Sequence, residues 1–178
     1  GGCLPDVVLG GSITVNEIPS IDLSSDAATT NQLLCINTAL TAITYEIGGS
    51  GTGADLTGTL PAGVTGIFSG TTFTISGTPT VAGAFNYTVT TTGGSCPAVA
   101  LSGTITVDPL PTLTLASGIT TQTVCNNEPI GAISYNIGGS ATGASITGLP
   151  AGANRSYNSG LFTISGTTTI SGTSTSTL

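Results

Sequence analysis

The feature that most constrains this chain is an internal repeat of about 90 residues. Three motifs occur twice: ITYEIGGS as ISYNIGGS (Ile43–Ser50 and Ile133–Ser140), LPAG (Leu60–Gly63 and Leu149–Gly152) and FTISGT (Phe73–Thr78 and Phe162–Thr167). The offset is 90 residues for the first motif and 89 for the other two, so the second copy is one residue shorter near Thr59. Such regular recurrence predicts tandem copies of one folding unit.

The phase of the repeat predicts where its copies begin and end. Gly11–Val15 (GSITV) matches Gly103–Val107 (GTITV) at an offset of 92 residues. We therefore expect residues 1–18 to be the closing strand of a preceding repeat and residues 19–108 to be a complete repeat. Residues 109–178 are then expected to be a repeat that lacks its last strand, in a window cut from a longer array.

Each copy has the pattern of short strands separated by turns. Aromatic and β-branched residues alternate with polar ones around Tyr45, Phe73, Phe85 and Tyr87, which is typical of strands with one buried face. Segments rich in Gly and Pro separate these strands and have turn chemistry. About seven short strands per copy predict an all-β fold of tandem immunoglobulin-like β-sandwich repeats of about 90 residues.

The motifs together also resemble a known family. LPAG, FTISGTPT (residues 73–80) and GAFNYTVT (residues 83–90) resemble the PKD-like and immunoglobulin-like repeats of very large Bacteroidetes surface proteins. Those proteins include type IX-secreted adhesins and gliding-motility adhesins. The resemblance covers essentially the whole chain, and it implies an extracellular β-sandwich, type IX export and a role in surface display or adhesion.

One segment departs from the family pattern. Residues 173–178 read TSTSTL in the second copy, where residues 84–89 of the first copy read AFNYTV. The aromatic residues expected of a core strand are therefore missing from this part of the second copy.

The composition argues against catalysis and against nucleic-acid binding. The chain has no His and no Lys, its single basic residue is Arg155, and its net charge is −7. A Ser or Cys nucleophile would lack its usual base, and phosphate binding needs clustered basic residues. No apolar run approaches the length of a membrane span. We expect no enzymatic activity, no cofactor, no nucleic-acid partner and no membrane insertion.

The eight acidic residues do not form a repeated site. None recurs as an acid in the other copy; Glu46, for example, aligns with Asn136. Asp22 and Asp26, near the joint between repeats, are the best candidates for calcium, which needs six or more oxygen ligands. No dense acidic motif supports them, so we expect no metal site.

The four cysteines indicate disulfides and an oxidising compartment. Cys3, Cys35, Cys96 and Cys125 contain no closely spaced pair of the kind that binds zinc. In the complete repeat Cys35 precedes the first long strand and Cys96 the last, so we predict a Cys35–Cys96 bond that stabilises by roughly 4 kcal/mol. Cys3 and Cys125 are expected to pair outside the segment or in another copy; if residues 1–18 complete residues 109–178 of another copy, Cys3 meets Cys125.

These observations predict a non-catalytic structural region of an adhesin or stalk on the outer surface of a Gram-negative bacterium. It would project a functional end away from the cell, with neighbouring repeats or other copies of itself as partners. Two alternatives stay open. One is a self-assembling filament or sheath whose exposed strand edges pair between copies. The other is a module that itself binds a glycan, a protein or a surface.

Overall fold

The computed structural model describes residues 10–178, so the predictions on residues 1–9, including Cys3, lie outside the described residues. The described part is all-β, which confirms the predicted class, with one short 3-10 helix at Ala27–Thr30. Its strands are β1 (Pro19–Leu23), β2 (Asn31–Cys35), β3 (Ile43–Gly49), β4 (Gly53–Gly58), β5 (Val64–Ser69), β6 (Thr72–Gly77), β7 (Gly83–Thr92), β8 (Ala100–Asp108), β9 (Thr112–Ser117), β10 (Pro129–Gly138), β11 (Ala153–Asn158) and β12 (Leu161–Thr167).

Contacts divide the chain into two compact units. Among the described residues, the first consists of residues 10–32, Ala39–Pro79 and Ala84–Thr106, and the second mainly of Val107–Leu178. Two short segments, Leu33–Thr38 and Thr80–Gly83, group with the second unit. Below, residues 19–108 are called the first repeat and residues 109–178 the second repeat.

The first repeat is a sandwich of two four-stranded sheets, with strand orders β1-β3-β6-β5 and β2-β8-β7-β4. The alternation predicted from the sequence is confirmed in β3, where Ile43, Tyr45 and Ile47 are buried and the residues between them are more exposed. Tyr45 and Tyr87 come from opposite sheets, and their hydroxyl oxygens share a buried hydrogen bond 3.0 Å long. The core therefore lies between the two sheets.

β8 is an inner strand of the second sheet, between β2 and β7. It runs parallel to β2, because Gly103 lies beside Thr30 at one end and the Ile36 N–H donates to the Asp108 carbonyl (2.8 Å) at the other. A side chain at Gly103 would overlap the Tyr87 hydroxyl, so this position needs glycine. Strand β8 therefore lies directly against the Tyr87 side chain.

The second repeat rebuilds the first of these sheets. Its strand order β11-β12-β10-β9 repeats β5-β6-β3-β1, and Tyr135 pairs with Phe162 as Tyr45 pairs with Phe73. Within residues 109–178 no strands correspond to the second sheet; only an isolated bridge joins Thr147 to Thr177. The second repeat is therefore half of a sandwich.

A glutamine side chain holds the chain before β3 in the first repeat. The Gln32 amide donates to the carbonyls of Thr29 (2.9 Å) and Thr41 (2.7 Å), and its oxygen accepts from the Thr41 N–H (3.0 Å). Gln122, ninety residues later, makes the same three bonds to Ile119 and Gly131, with lengths of 2.9, 2.8 and 2.7 Å. The structural repeat therefore extends to individual side-chain contacts.

Replacing Gln32 with Ala should lower the free energy of unfolding by about 1–3 kcal/mol, because three backbone groups lose their partner. Chemical denaturation of the variant measures this loss. The neighbouring Asn31→Ala is the control, since Asn31 is exposed and, among residues 10–178, its side chain bonds only to Thr30, at 3.4 Å. Equal stability of the two variants would contradict a role for Gln32.

Candidate interaction groove

The described surface of the second repeat carries a groove with a volume of about 630 Å³. One set of lining residues is Thr120–Val124 and another is Ile170–Ser176, and Ile130 and Pro150 also line it. The lining is made of hydroxyl groups, the amide side chains of Gln122 and Asn126, and apolar side chains. It contains no charged residue.

The repeat identifies what lies at the same place in the first repeat. Residues 121–125 correspond to β2 at an offset of 90, and residues 172–178 correspond to the first seven residues of β7 at an offset of 89. In the first repeat β8 runs between those two strands. The Thr147–Thr177 bridge keeps the register of the Thr57–Thr88 pair between β4 and β7. The groove is therefore at the position of β8.

The sheet beside the groove is less well covered than its counterpart. Tyr135 is half-buried, whereas the equivalent Tyr45 is fully buried. Leu113 and Leu115 of β9 are 48% and 50% exposed, whereas Leu23 of β1 is less exposed than either. Exposed apolar surface is a feature of many interaction sites.

The segment that the sequence matches to β8 is itself exposed. Gly10–Ile18 forms no strand, and Ile13 and Val15 are 94% and 89% exposed. Their counterparts in β8, Ile105 and Val107, are 0% and 2% exposed. The same apolar pattern is therefore buried in β8 and exposed to solvent in Gly10–Ile18.

The structure does not bring together the predicted disulfide pair Cys35 and Cys96; both thiols are free. Cys35 ends β2 beside Asp108, the last residue of β8, whereas Cys96 precedes the first residue of that strand. The nine residues of β8 extend about 27 Å at strand rise, and bonded cysteines have Cα atoms within about 7 Å. The structure therefore does not contain the predicted bond, because the two cysteines lie at opposite ends of one strand.

Cys96 and Cys125 each have a backbone neighbour within the described residues, and the predicted partner of Cys125, outside the segment or in another copy, stays a prediction. The Cys96 thiol contacts the Asn16 carbonyl, with sulfur and oxygen 3.7 Å apart. Cys125 is exposed and free, and Glu128 N–H donates to its carbonyl as Thr38 N–H does to that of Cys35. The partner of Cys3 stays a prediction, because Cys3 lies outside the described residues.

Replacing both Cys35 and Cys96 with Ser should change the free energy of unfolding of the monomer by less than about 1 kcal/mol. Loss of an intradomain disulfide would instead lower it by roughly 4 kcal/mol. Denaturation with and without a thiol reductant measures the difference. A Cys35–Cys96 linkage in peptides from unreduced protein would restore the original prediction.

The acidic residues singled out in the sequence have local structural roles. The Asp26 carboxylate accepts the Ala28 N–H (2.8 Å) and caps the 3-10 helix, and the Glu46 carboxylate accepts the Thr72 hydroxyl (3.0 Å). Asp22 lies opposite Glu46 in the ladder of β1 and β3. Residues 10–178 contain no group of three potential metal ligands, and none of their helices is long and apolar enough to cross a membrane.

Two features of the structure were not found from the sequence: the bond between the Tyr45 and Tyr87 hydroxyls, and the hydrogen bonds of Gln32 and Gln122. The hydroxyl bond between Tyr45 and Tyr87 depends on how the sheets face each other, which periodicity does not show. Burial raises the pKa of both hydroxyls, and the hydrogen bond between them raises the pKa of Tyr87 further and partly offsets the rise at Tyr45. The glutamine clamp had a usable signal, because Gln32 and Gln122 recur at the offset of 90 residues.

Comparison with solved structures supports the immunoglobulin-like fold. A titin segment of three immunoglobulin domains matches with a TM-score of 0.58 and 13% identity, over 86% of this chain and 56% of that one. The chain thus spans little more than half the length of the titin segment. At this identity the likeness shows the fold alone, a tandem immunoglobulin-like β-sandwich.

Other similar structures match less closely. Extracellular cadherin domains 1–4 of a gamma protocadherin are 9% identical, with a TM-score of 0.45 over 87% of this chain and 43% of that one. Domains 4–9 of the surface layer protein SbsC are 11% identical, with a TM-score of 0.36 over 85% and 27%. No protein-family model matches the sequence, and no curated protein matches it significantly.

Proposed function

We propose that this chain is a non-catalytic structural region of an extracellular surface adhesin or stalk. The observation that carries the proposal is that one four-stranded sheet is built twice, with equivalent pairing and equivalent glutamine clamps. Repetition of one sandwich unit along a chain is how arrays gain length without new chemistry. The family resemblance adds the outer surface of a Gram-negative bacterium and type IX export.

The strand boundaries support the domain organisation proposed from the sequence. β1 begins at Pro19 and β8 ends at Asp108, so all eight strands of the sandwich fall within residues 19–108. We propose the same limits for folding units, with residues 1–18 and 109–178 as parts of neighbouring units. Only three residues, Pro109–Pro111, connect β8 to β9, and the two prolines stiffen that connection.

The surface chemistry suits an extracellular stalk. Charged residues make up only 5% of the chain, so Thr and Ser hydroxyls supply most of its polar surface. The absence of Lys also removes a residue at which many extracellular proteases cut. A chain of this kind resists degradation while it presents few ionic groups to solvent.

Immunogold labelling of intact cells of the source organism tests this proposal. An antibody against residues 19–108 should label unpermeabilised cells, with gold particles displaced outward from the membrane. Antibody against a periplasmic protein is the control for cell integrity. Labelling that needs permeabilisation would contradict the extracellular assignment.

The self-assembling filament is a second candidate function, and a specific observation favours it. The groove in the second repeat and the exposed segment Gly10–Ile18 are complementary parts of one sandwich.

A further inference from the structure

We propose that Gly10–Ile18 of one copy inserts as a strand into the groove of the second repeat of another copy, joining copies head to tail. This deepens the proposed structural role, because it names a second copy of the chain as the partner. Gly11–Val15 would take the place that Gly103–Val107 holds in the first repeat. The occupant is identified by its repeat position, since these residues match a strand that already fills the equivalent place.

Apolar burial favours the insertion. Ile13 and Val15 are almost fully exposed, and in the groove they would occupy the positions of the buried Ile105 and Val107. Burying two such side chains removes apolar surface from water and therefore stabilises the association. The half-buried Tyr135 of the receiving sheet would be covered in the same step.

Backbone hydrogen bonding also favours it. In the first repeat the Ile36 N–H donates to the Asp108 carbonyl, which fixes the end of β8 against β2. The equivalent donor in the second repeat is the Asn126 N–H, and the equivalent acceptor is the Asn16 carbonyl of the incoming segment. Adding a strand between two existing segments pairs polar groups on both of its edges.

The incoming segment has a glycine, Gly11, at the position where β8 has Gly103. A Cβ at Gly103 would lie 2.5 Å from the Thr30 carbonyl oxygen, and Gly11 in the incoming segment would meet the equivalent Thr120 carbonyl. In the free segment nothing lies within 4 Å of a Cβ placed on Gly11, so its own surroundings do not require glycine.

The insertion would place Cys96 of the incoming copy and Cys125 of the receiving copy near the same residue, Asn16 of the incoming copy. Asn16 of the incoming copy is already in contact with Cys96 of that copy, and its carbonyl would be bound by the residue after Cys125 of the receiving copy. Oxidation would then form a Cys96–Cys125 bond between copies. Each thiol loses one proton and one electron, and dioxygen or a small-molecule disulfide accepts the two electrons.

Sedimentation velocity of residues 1–178 under thiol-reducing conditions tests the insertion. The chain should form oligomers whose size grows with concentration. The double substitution of Ile13 and Val15 with Asp should raise the concentration for half-association by more than about a hundredfold, because it would bury two charges. Both positions are exposed in the monomer, so folding of the variant is not at risk.

Thr14→Asp is the matched control, because it adds a charge on the opposite face of the same strand. It should still associate. Equal loss of association in Thr14→Asp and in the double Asp variant would overturn strand insertion, as would a monomer at every concentration. In either case unchanged thermal unfolding would leave the proposed structural repeat intact.

The cysteine linkage gives a second, independent readout. After oxidation by oxidised glutathione, peptides from unreduced oligomers should contain the Cys96–Cys125 linkage. Cys125→Ser should abolish covalent oligomers and leave the reversible ones. Covalent linkage between any other pair of cysteines would overturn the proposed placement of the segment.

Discussion

Replacing Ile105 with Ala should lower the free energy of unfolding by about 2–5 kcal/mol, the usual range for deleting a large side chain from a well-packed core. Ile105 is completely buried on the inner strand β8. The same change at Ile13, its repeat counterpart, should alter the stability of the monomer by less than about 0.5 kcal/mol, because Ile13 is exposed. The same substitution at two equivalent positions should therefore cause a large loss of stability at Ile105 and almost none at Ile13.

Denaturant unfolding at low protein concentration measures this pair of variants. The low concentration matters, because self-association would add stability to the wild type and less to Ile13→Ala. At high concentration Ile13→Ala should weaken association. A loss of several kcal/mol for Ile13→Ala in the monomer would contradict the exposed position of Gly10–Ile18.

Stability should fall steeply above pH 10 because of the buried pair Tyr45 and Tyr87. Both hydroxyls have a raised pKa in the folded protein, and the unfolded pKa is about 10. The contribution is therefore complete below pH 10 and is lost as the pH rises, since only the unfolded chain then releases these protons. The expected slope is about 1.4 kcal/mol per pH unit for each tyrosine, or about 2.7 kcal/mol for the pair.

The Tyr45→Phe, Tyr87→Phe double variant is the control for this slope. It should remove the component due to the pair and leave stability at neutral pH nearly unchanged, because both hydrogen-bonding groups go together. Tyr87→Phe alone should lower the free energy of unfolding by about 1–3 kcal/mol, since the Tyr45 hydroxyl stays buried without its partner. Urea unfolding from neutral pH to pH 12 measures all three, and equal slopes in wild type and double variant would refute the assignment.

The sequence was sufficient for the fold because two periodicities act together. Alternation at Ile43, Tyr45 and Ile47 marks a strand with one buried face, and the 90-residue offset shows that the pattern occurs twice. β1 begins at Pro19 and β8 ends at Asp108, and the limits of the folding units at these residues stay a proposal. Phe85 follows the pattern less well and is only half-buried.

The structure lacks the predicted Cys35–Cys96 bond because the order of strands in a sheet is not a local property. The sequence showed that Cys35 and Cys96 each precede a strand, but not that β2 runs parallel to β8. The parallel pairing sends Cys35 to the far end of β8. Local sequence patterns also did not reveal the groove, because it depends on which strands of the first repeat have no counterpart among residues 109–178.

Amide hydrogen exchange of Gly11–Val15 at low and high protein concentration tests the central claim most directly. The segment should exchange rapidly in the monomer and become protected as copies associate, while Gly103–Val107 of β8 stays protected throughout as an internal reference. Protection that rises with association would show the segment inserted as a strand. Rapid exchange of Gly11–Val15 in fully associated protein would contradict the account, because the copies would then be joined by some other surface.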